Sequence, residues 1–189
     1  MPATPDRYRR RNSLRHEQYD YTQPGAYFVT FCAHRGCCLF GQVDDNGAMN
    51  RNPLGEIAHS AWLGFAQNHP EIDIDCLVVM PNHIHVLLWI LALVDGKIVQ
   101  ATSQKRAFGD AIAGSLSTLI GAYKGGVTQK AKKTGIFTGS PLWQRNFYDR
   151  IVRGEEELAR IREYIRTNPQ RWKEDKLHPD APPNEFNRW

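Results

Sequence analysis

The pattern of apolar and polar positions divides the chain into strand-like and helix-like segments. β-Branched and aromatic residues concentrate in runs of strand length, which predict strands over residues 26–32, 72–80, 83–91 and 141–152. Apolar residues recur at helical spacing in longer segments, which predict helices over residues 54–68, 115–132 and 155–167. Residues 95–114 have weak patterning, so we expect a long loop or insertion there.

Proline residues mark where several of these elements begin and end. Pro53 suits the first turn of the first helix, and Asn168-Pro169 ends the last helix. Pro81-Asn82 predicts a tight turn that joins the second and third strands into a hairpin. The order strand, helix, strand, strand, helix, strand, helix predicts an α+β fold, with a ferredoxin-like or RRM-like antiparallel sheet and helices on one face.

The length of 189 residues suits one domain with its own core. We expect a basic arm over residues 1–22, the domain over residues 23–175 and a tail over residues 176–189. The sequence has neither an apolar run long enough to cross a membrane nor an apolar signal segment, so we expect a cytoplasmic protein without a membrane partner. The cysteines have no CxxC spacing and are expected to be reduced; they are Cys32, Cys37, Cys38 and Cys76.

The net charge of +4 is modest, but the basic residues form three clusters. One lies in the N-terminal arm, one is a block of lysines near residue 130, and one over residues 145–173 alternates with aromatic residues. Each cluster alone is simply explained as a solvated face, whereas three together favour a nucleic-acid partner, because cations attract phosphates and aromatic rings stack on unpaired bases. The candidate contacts are Arg9, Arg10, Arg11, Lys124, Arg145, Tyr148 and Arg150.

Candidate chemistry lies in the third strand and the last helix. His83 and His85 are two residues apart in the strand, so their side chains point to the same face and form half of a metal site. Tyr164 and Asn168 are four residues apart in the helix and therefore stack one turn apart. Next to the histidines they would supply a nucleophile and a third, oxygen ligand. Each has a plainer explanation: histidine pairs are often only hydrogen-bonded, tyrosines often pack, and Asn-Pro is a common helix end.

These groups together suit phosphodiester chemistry. A divalent ion bound by two imidazoles and an amide oxygen keeps open positions, where it can polarise a phosphodiester. A tyrosine has an ordinary pKa of about 10, so it needs a nearby cation or base to attack as phenolate. Attack by Tyr164 would join the DNA covalently to the protein and keep the bond energy for rejoining. Tyr148 is the rival nucleophile, but in an alternating strand its simpler role is packing or base stacking.

Three segments are distinctive together: MPNHIHVLL at residues 80–88, LWQRNFYD at residues 142–149 and YIRTNP at residues 164–169. In this order they resemble the REP-associated tyrosine transposases, which are relatives of the single-tyrosine HUH transposases of bacterial insertion sequences. The resemblance spans about residues 21–172, whereas residues 95–114 and 177–189 match no motif of the family. It implies an antiparallel sheet that carries the histidine pair, with Mg or Mn as the ion. It implies that His83, His85 and Asn168 are metal ligands and that Tyr164 is the nucleophile.

The resemblance also implies a substrate and a product. The substrate is single-stranded DNA folded into a palindromic hairpin with a flanking guide, and the product is a 5′ phosphate held on tyrosine with a free 3′ hydroxyl. Such a protein is expected to act as a monomer or a weak homodimer. Three other functions fit the residues: a catalytically silent hairpin-binding protein on the same fold, an RRM-like RNA-binding domain, and a hydrolytic metal-dependent nuclease. The presence of all four candidate site residues favours the transposase over a silent copy.

Overall fold

Strands and helices are both present in the part of the chain that the structure describes, which is residues 23–91, 93–94, 97–98 and 115–184 of a computed structural model. The predicted arm over residues 1–22 lies outside these residues. The strands and α-helices are β1 (Gly25–Cys32), β2 (Gly41–Val43), β3 (Met49–Arg51), α1 (Pro53–Asn68), β4 (Ile72–Val79), β5 (His83–Ile90), β6 (Leu93–Val94), β7 (Lys97–Ile98), α2 (Leu116–Lys133), β8 (Tyr148–Ile151) and α3 (Glu155–Thr167). Short 3-10 helices span His34–Gly36 and Pro169–Glu174.

The main sheet has four antiparallel strands in the order β4-β5-β1-β8. Thr30 on β1 lies opposite His85 on β5 and opposite Tyr148 on β8. Residues that pair directly in an antiparallel sheet share a face, so these three side chains form one row across it. The pairs β2–β3 and β6–β7 form two small hairpins outside the main sheet.

Both faces of β5 are covered, which explains why its apolar run is nearly continuous. Its residues Ile84 and Val86 belong to the larger core, with residues of α1 and α2. Leu87, on the opposite face, packs in a smaller cluster with Leu158 and Ile161 of α3. The prediction of an α+β antiparallel sheet is therefore confirmed, but the helices differ from the expected arrangement on one face. The apolar stripe of α3 fits either face equally well, so the pattern alone did not distinguish them.

The fourth predicted strand is much shorter in the structure. It was expected over residues 141–152, whereas regular pairing is limited to β8. In the preceding segment, Trp143 makes an isolated bridge with Ala33, and its indole N–H donates to the carbonyl of Lys124 at 3.0 Å. The buried side chain of Trp143 packs against Phe31 and Phe40, so it serves the core rather than an alternating strand.

The sequence pattern did not predict the β2–β3 hairpin, whose strands are too short for an alternation to be visible. Its turn over residues 44–47 has the sequence Asp-Asp-Asn-Gly, which is typical of tight turns. Along the described residues, no helix combines the length and apolar character needed to cross a membrane.

Candidate functional site

The two histidines of β5 lie side by side on the sheet face that α3 covers. His83 is fully buried and His85 is 3% exposed. Their Nε2 atoms are 3.0 Å apart. Strand geometry places them there, because residues two apart in a strand point to the same face.

Hydrogen bonds fix the orientation of both rings. Asn82 Nδ2 donates to the carbonyls of Gly36 at 3.1 Å and Leu177 at 2.7 Å, which leaves its Oδ1 to accept from His83 Nδ1 at 2.8 Å. The proton of neutral His83 is therefore on Nδ1, and its Nε2 lone pair faces His85. His85 Nδ1 is 2.7 Å from the Thr30 hydroxyl. Partners of this kind typically set the tautomer of metal-binding histidines.

Tyr164 of α3 lies directly beside the histidine pair. Its hydroxyl is 3.3 Å from His85 Nε2, and 37% of the residue is exposed. Phe28 on β1 stacks on the His85 ring at 5.3 Å and contacts the Tyr164 ring edge-on at 5.9 Å. The phenol is thus held by packing on one side and remains open to solvent on the other.

Asn168 completes the arrangement predicted from its spacing. It ends α3 with helical backbone angles, so the one-turn stacking on Tyr164 is retained despite the following proline. The residue is only 2% exposed, and its Oδ1 has no hydrogen-bond partner within the described structure. Buried polar atoms almost always have a partner, so this oxygen fits a role as a ligand for a bound cation.

Asp175 is a site residue that sequence reasoning missed. It follows the 3-10 helix after Asn168, and its side chain is 6% exposed. Its Oδ1 accepts from the Leu177 backbone N–H at 2.7 Å, and its Oδ2 accepts from Asn168 Nδ2 at 3.3 Å. Among the described residues, the carboxylate is within ion-pair distance of His83 only, at 4.0 Å. Residue spacing does not predict this position, because Asp175 is far from the histidines in the sequence. The 3-10 helix after Asn168 places it next to them.

The donor atoms of this cluster fit a divalent cation. One nitrogen or oxygen from each of His83, His85 and Asp175 lies within 4.8 Å of the others. The Asn168 amide lies next to this cluster, since its Nδ2 donates to Asp175, and its unpartnered Oδ1 is a further candidate oxygen donor. A buried carboxylate without a lysine or arginine partner is costly, and a bound cation would offset that cost.

Burial shifts the pKa values of His83, His85 and Tyr164. Desolvation lowers the pKa of His83 to about 3, and it also lowers the pKa of His85 well below its ordinary value. Both rings are therefore neutral at pH 7, as metal ligands must be. Burial, together with the negative charge of Asp175, raises the pKa of Tyr164 to about 12. The phenol is protonated at neutral pH unless nearby positive charge stabilises the phenolate.

The buried histidines predict acid sensitivity in the metal-free protein. The unfolded chain binds a proton at His83 below pH 6.5, whereas the folded protein does so only near pH 3. The free energy of unfolding should therefore fall as the pH drops below 6.5, by about 1.4 kcal/mol per pH unit for one such histidine. Urea denaturation at pH 7.5 and 5.5, with a chelator present, measures this difference. A smaller difference is expected for His83→Gln, and equal stability of the native chain at both pH values would contradict the assignment.

The predicted DNA-contacting residues do not all lie in one place. Tyr148 lies on the same face as the site, opposite Thr30, and Arg150 lies opposite Phe28 on the same edge strand. Arg150 is exposed and pairs with Glu157 of α3, with Nε 2.6 Å from Oε1. Arg145 is exposed in the segment before β8. Arg9, Arg10 and Arg11 lie outside the described residues.

Lys124 binds the backbone of the segment before β8. Its ammonium donates to the backbone carbonyls of Gln144 at 3.0 Å and Asn146 at 2.9 Å, and it lies 5.5 Å from the centre of the Phe31 ring. Burial lowers the pKa of Lys124 to about 8. Two of its three donors bind backbone carbonyls, so Lys124 anchors the segment before β8, and its contact with DNA stays a prediction.

Relatives of known sequence support the resemblance seen in the motifs. An uncharacterized protein of Haemophilus influenzae is 36% identical over 176 residues, which cover 90% of this chain and 94% of that protein. A second protein of that organism, provisionally named a REP-associated tyrosine transposase, is 22% identical over 169 residues, or 89% of this chain and 84% of that protein. No protein-family model matches this chain.

A solved structure shares the fold. It is that of a REP-associated tyrosine transposase bound to a REP hairpin, with a TM-score of 0.54 and 16% sequence identity. The match covers 93% of this chain and 95% of that chain. This chain is therefore similar in sequence to a protein provisionally named a REP-associated tyrosine transposase, and it shares the fold of a solved REP-associated tyrosine transposase.

Proposed function

We propose that the protein is a metal-dependent endonuclease and strand transferase that acts on single-stranded DNA hairpins through a 5′-phosphotyrosine at Tyr164. One observation carries this proposal: the Tyr164 hydroxyl lies 3.3 Å from His85 Nε2, at the edge of the His83, His85 and Asp175 cluster. A nucleophile next to a cation site is the arrangement that phosphoryl transfer requires. The sequence similarity to a provisionally named REP-associated tyrosine transposase and the shared fold support the same activity.

The proposed metal ligands are His83, His85, Asn168 and Asp175, and the proposed ion is Mg or Mn. Mixed nitrogen and oxygen donors accommodate such ions, with oxygen donors favouring the harder ones. When bound, the ion would supply positive charge that polarises the phosphodiester and favours the phenolate of Tyr164. The protein's own part is to keep the histidines neutral through burial and to orient the Asp175 carboxylate through the backbone hydrogen bond from Leu177.

Cleavage follows from the chemistry of Tyr164. Its phenol loses a proton to water, and the phenolate oxygen attacks phosphorus. A bond from the Tyr164 oxygen to phosphorus forms, the bond from phosphorus to the 3′ oxygen breaks, and that oxygen takes up a proton and leaves as a 3′ hydroxyl. Strand transfer reverses these changes: a 3′ hydroxyl attacks the phosphotyrosine, and Tyr164 regains its proton. No energy source is needed, since one phosphoester replaces another.

The proposed DNA path crosses the exposed side of β8. Tyr148 and Arg150 share the face of the catalytic cluster, and Arg145 precedes them in the chain. An aromatic ring stacks on bases of any sequence, and arginines contact phosphates. The N-terminal Arg9, Arg10 and Arg11 remain proposed contacts to the hairpin stem or guide. Their replacement by Ala is expected to weaken binding and to flatten its salt dependence.

The double variant Arg145→Ala Arg150→Ala is expected to weaken hairpin binding and to reduce the slope of log K against log[salt] by roughly one per lost phosphate contact. Fluorescence anisotropy with a labelled hairpin across a salt series measures both quantities. Lys133→Ala at the end of α2 is the matched control, because α2 covers the opposite face of the sheet. An unchanged affinity and slope in the double variant would exclude this path.

Incubation of single-stranded hairpin DNA with the protein and Mn, followed by a denaturing gel, separates the candidate functions. The proposal predicts a protein–DNA adduct of reduced mobility. Fragments without an adduct would indicate a hydrolytic nuclease instead. Tight binding without cleavage would indicate a silent DNA-binding protein, and a preference for RNA hairpins would indicate an RNA-binding domain.

A further inference from the structure

The turn of the β2–β3 hairpin lies against the 3-10 helix that connects Asn168 with Asp175. Gly47 in this turn faces Gln170: a methyl group at position 47 would lie 2.9 Å from Cα of Gln170, closer than real Cβ atoms come to a neighbour. Gly47 also has a φ of 76°, which disfavours other residues. Glycine at this position therefore allows both the turn and the close approach to the connecting segment.

The turn itself is rigid. Asp44 Oδ1 accepts from the N–H groups of Asn46 and Ala48, each at 2.9 Å, and Asp44 Oδ2 accepts from Asn50 Nδ2 at 3.1 Å. The Gly47 N–H donates to the Asp44 carbonyl at 3.0 Å. These bonds to the charged form lower the pKa of Asp44, and they close the turn without help from the rest of the protein.

The other end of the hairpin is attached to the histidine strand. The N–H of Phe40, just before β2, donates to the Pro81 carbonyl at 2.9 Å, two residues before His83. The N–H of Asn52, just after β3, donates to the Phe40 carbonyl at 3.0 Å. The base of the hairpin therefore contacts the chain next to the histidines. Its turn contacts the segment between Asn168 and Asp175.

We infer that the β2–β3 turn positions Asn168 and Asp175 against His83 and His85, through the contact of Gly47 with Gln170. The inference deepens the proposed function, on which it rests in treating these residues as metal ligands. A side chain at position 47 must displace the backbone of Gln170, because the atom it meets is Cα and not a flexible side-chain end. The displacement reaches both oxygen donors, since Gln170 lies between them in the same short helical segment.

Gly47→Ala is the test variant, and Gly135→Ala is its matched control. Gly135 has a similar φ of 73°, but a methyl group there would have no atom within 4 Å. Both substitutions impose backbone strain at positive φ, which should lower Tm by roughly 2–4 °C, and Gly47→Ala should lose more because its methyl group also meets Gln170. Only Gly47→Ala should weaken Mn²⁺ binding, by roughly tenfold or more, as expected when the support of a ligand is disturbed.

Isothermal titration with Mn²⁺ measures the affinity of the native chain and both variants. A dissociation constant of Gly47→Ala equal to that of Gly135→Ala would overturn the inference. Gly47→Asn provides a second variant, since asparagine tolerates positive φ but still carries a Cβ. It should recover part of the lost Tm while keeping the weaker metal binding.

A measurement without metal separates this inference from the proposed function. The side-chain amide resonances of Asn168 in the metal-free protein should shift in Gly47→Ala and stay in place in Gly135→Ala. Unshifted resonances in Gly47→Ala would overturn the inference, whatever the metal affinity. Failure of the native chain to bind Mn²⁺ would instead contradict the proposed function, and the Asn168 resonances would still decide the positioning role.

Discussion

Replacing Tyr164 by Phe is expected to abolish both the protein–DNA adduct and strand cleavage, with a loss in rate of about 10³-fold or more, because the variant lacks the nucleophile. The change should leave the fold intact. The Tyr164 ring contacts Phe28 and His85 through its faces and edges, and phenylalanine keeps those contacts. The measurement is single-turnover cleavage of a labelled hairpin in Mn²⁺, with Tm recorded for each protein.

Tyr148→Phe serves as the companion variant because Tyr148 is the rival phenol on the same sheet face. It removes a hydroxyl but keeps a ring that can stack on a base, so adduct formation should persist. If Tyr164→Phe still forms the adduct, or if only Tyr148→Phe loses it, Tyr164 is not the nucleophile.

The second large effect is expected on metal binding, when one of the two imidazoles is removed. His85→Ala is expected to weaken Mn²⁺ binding by about 100-fold or more, since loss of a direct ligand should exceed the 10–100-fold cost usual for an outer partner. Cleavage should fall with it. The structural reason is that the Nε2 atoms of His83 and His85 converge at 3.0 Å, so each is half of the nitrogen donor set.

A control histidine distinguishes ligand loss from general damage. His69 pairs with Glu71 after α1, away from the cluster, and His69→Ala should keep the native Mn²⁺ affinity. Metal should also raise the Tm of the native chain by mass action and have no such effect on His85→Ala. Equal Mn²⁺ affinity of His85→Ala and the native chain would contradict the assignment of the site.

Much of the fold could be predicted from the sequence, because it depends on local periodicity. The runs over residues 26–32, 72–80 and 83–91 and the three helices correspond closely to the observed elements. The exceptions depend on contacts between distant residues. The side of the sheet that α3 covers is one, and the shortening of the strand around residues 141–152 is another, where Trp143 is drawn into the core.

The site residues likewise divide into those that local spacing predicts and those that depend on contacts between distant segments. The His83 and His85 pair and the Tyr164 and Asn168 pair are each set by the spacing of one element, and the structure brings all four together. The position of Asp175 in the cluster and the backbone contacts of the Lys124 ammonium depend on how separate segments pack together. The spacing of residues within one element does not predict such packing. Charge clustering alone therefore did not predict the contacts of Lys124 with the segment before β8.

The central claim is tested most directly by the polarity and attachment site of the adduct. The protein is incubated with Mn²⁺ and a single-stranded hairpin that carries distinguishable labels at its 5′ and 3′ ends. We expect the 3′-labelled fragment to migrate with the protein, the 5′-labelled fragment to be released with a 3′ hydroxyl, and peptide mass mapping to find the nucleotide on Tyr164. Attachment of the 5′-labelled fragment, attachment at another residue, or two free fragments would contradict the account.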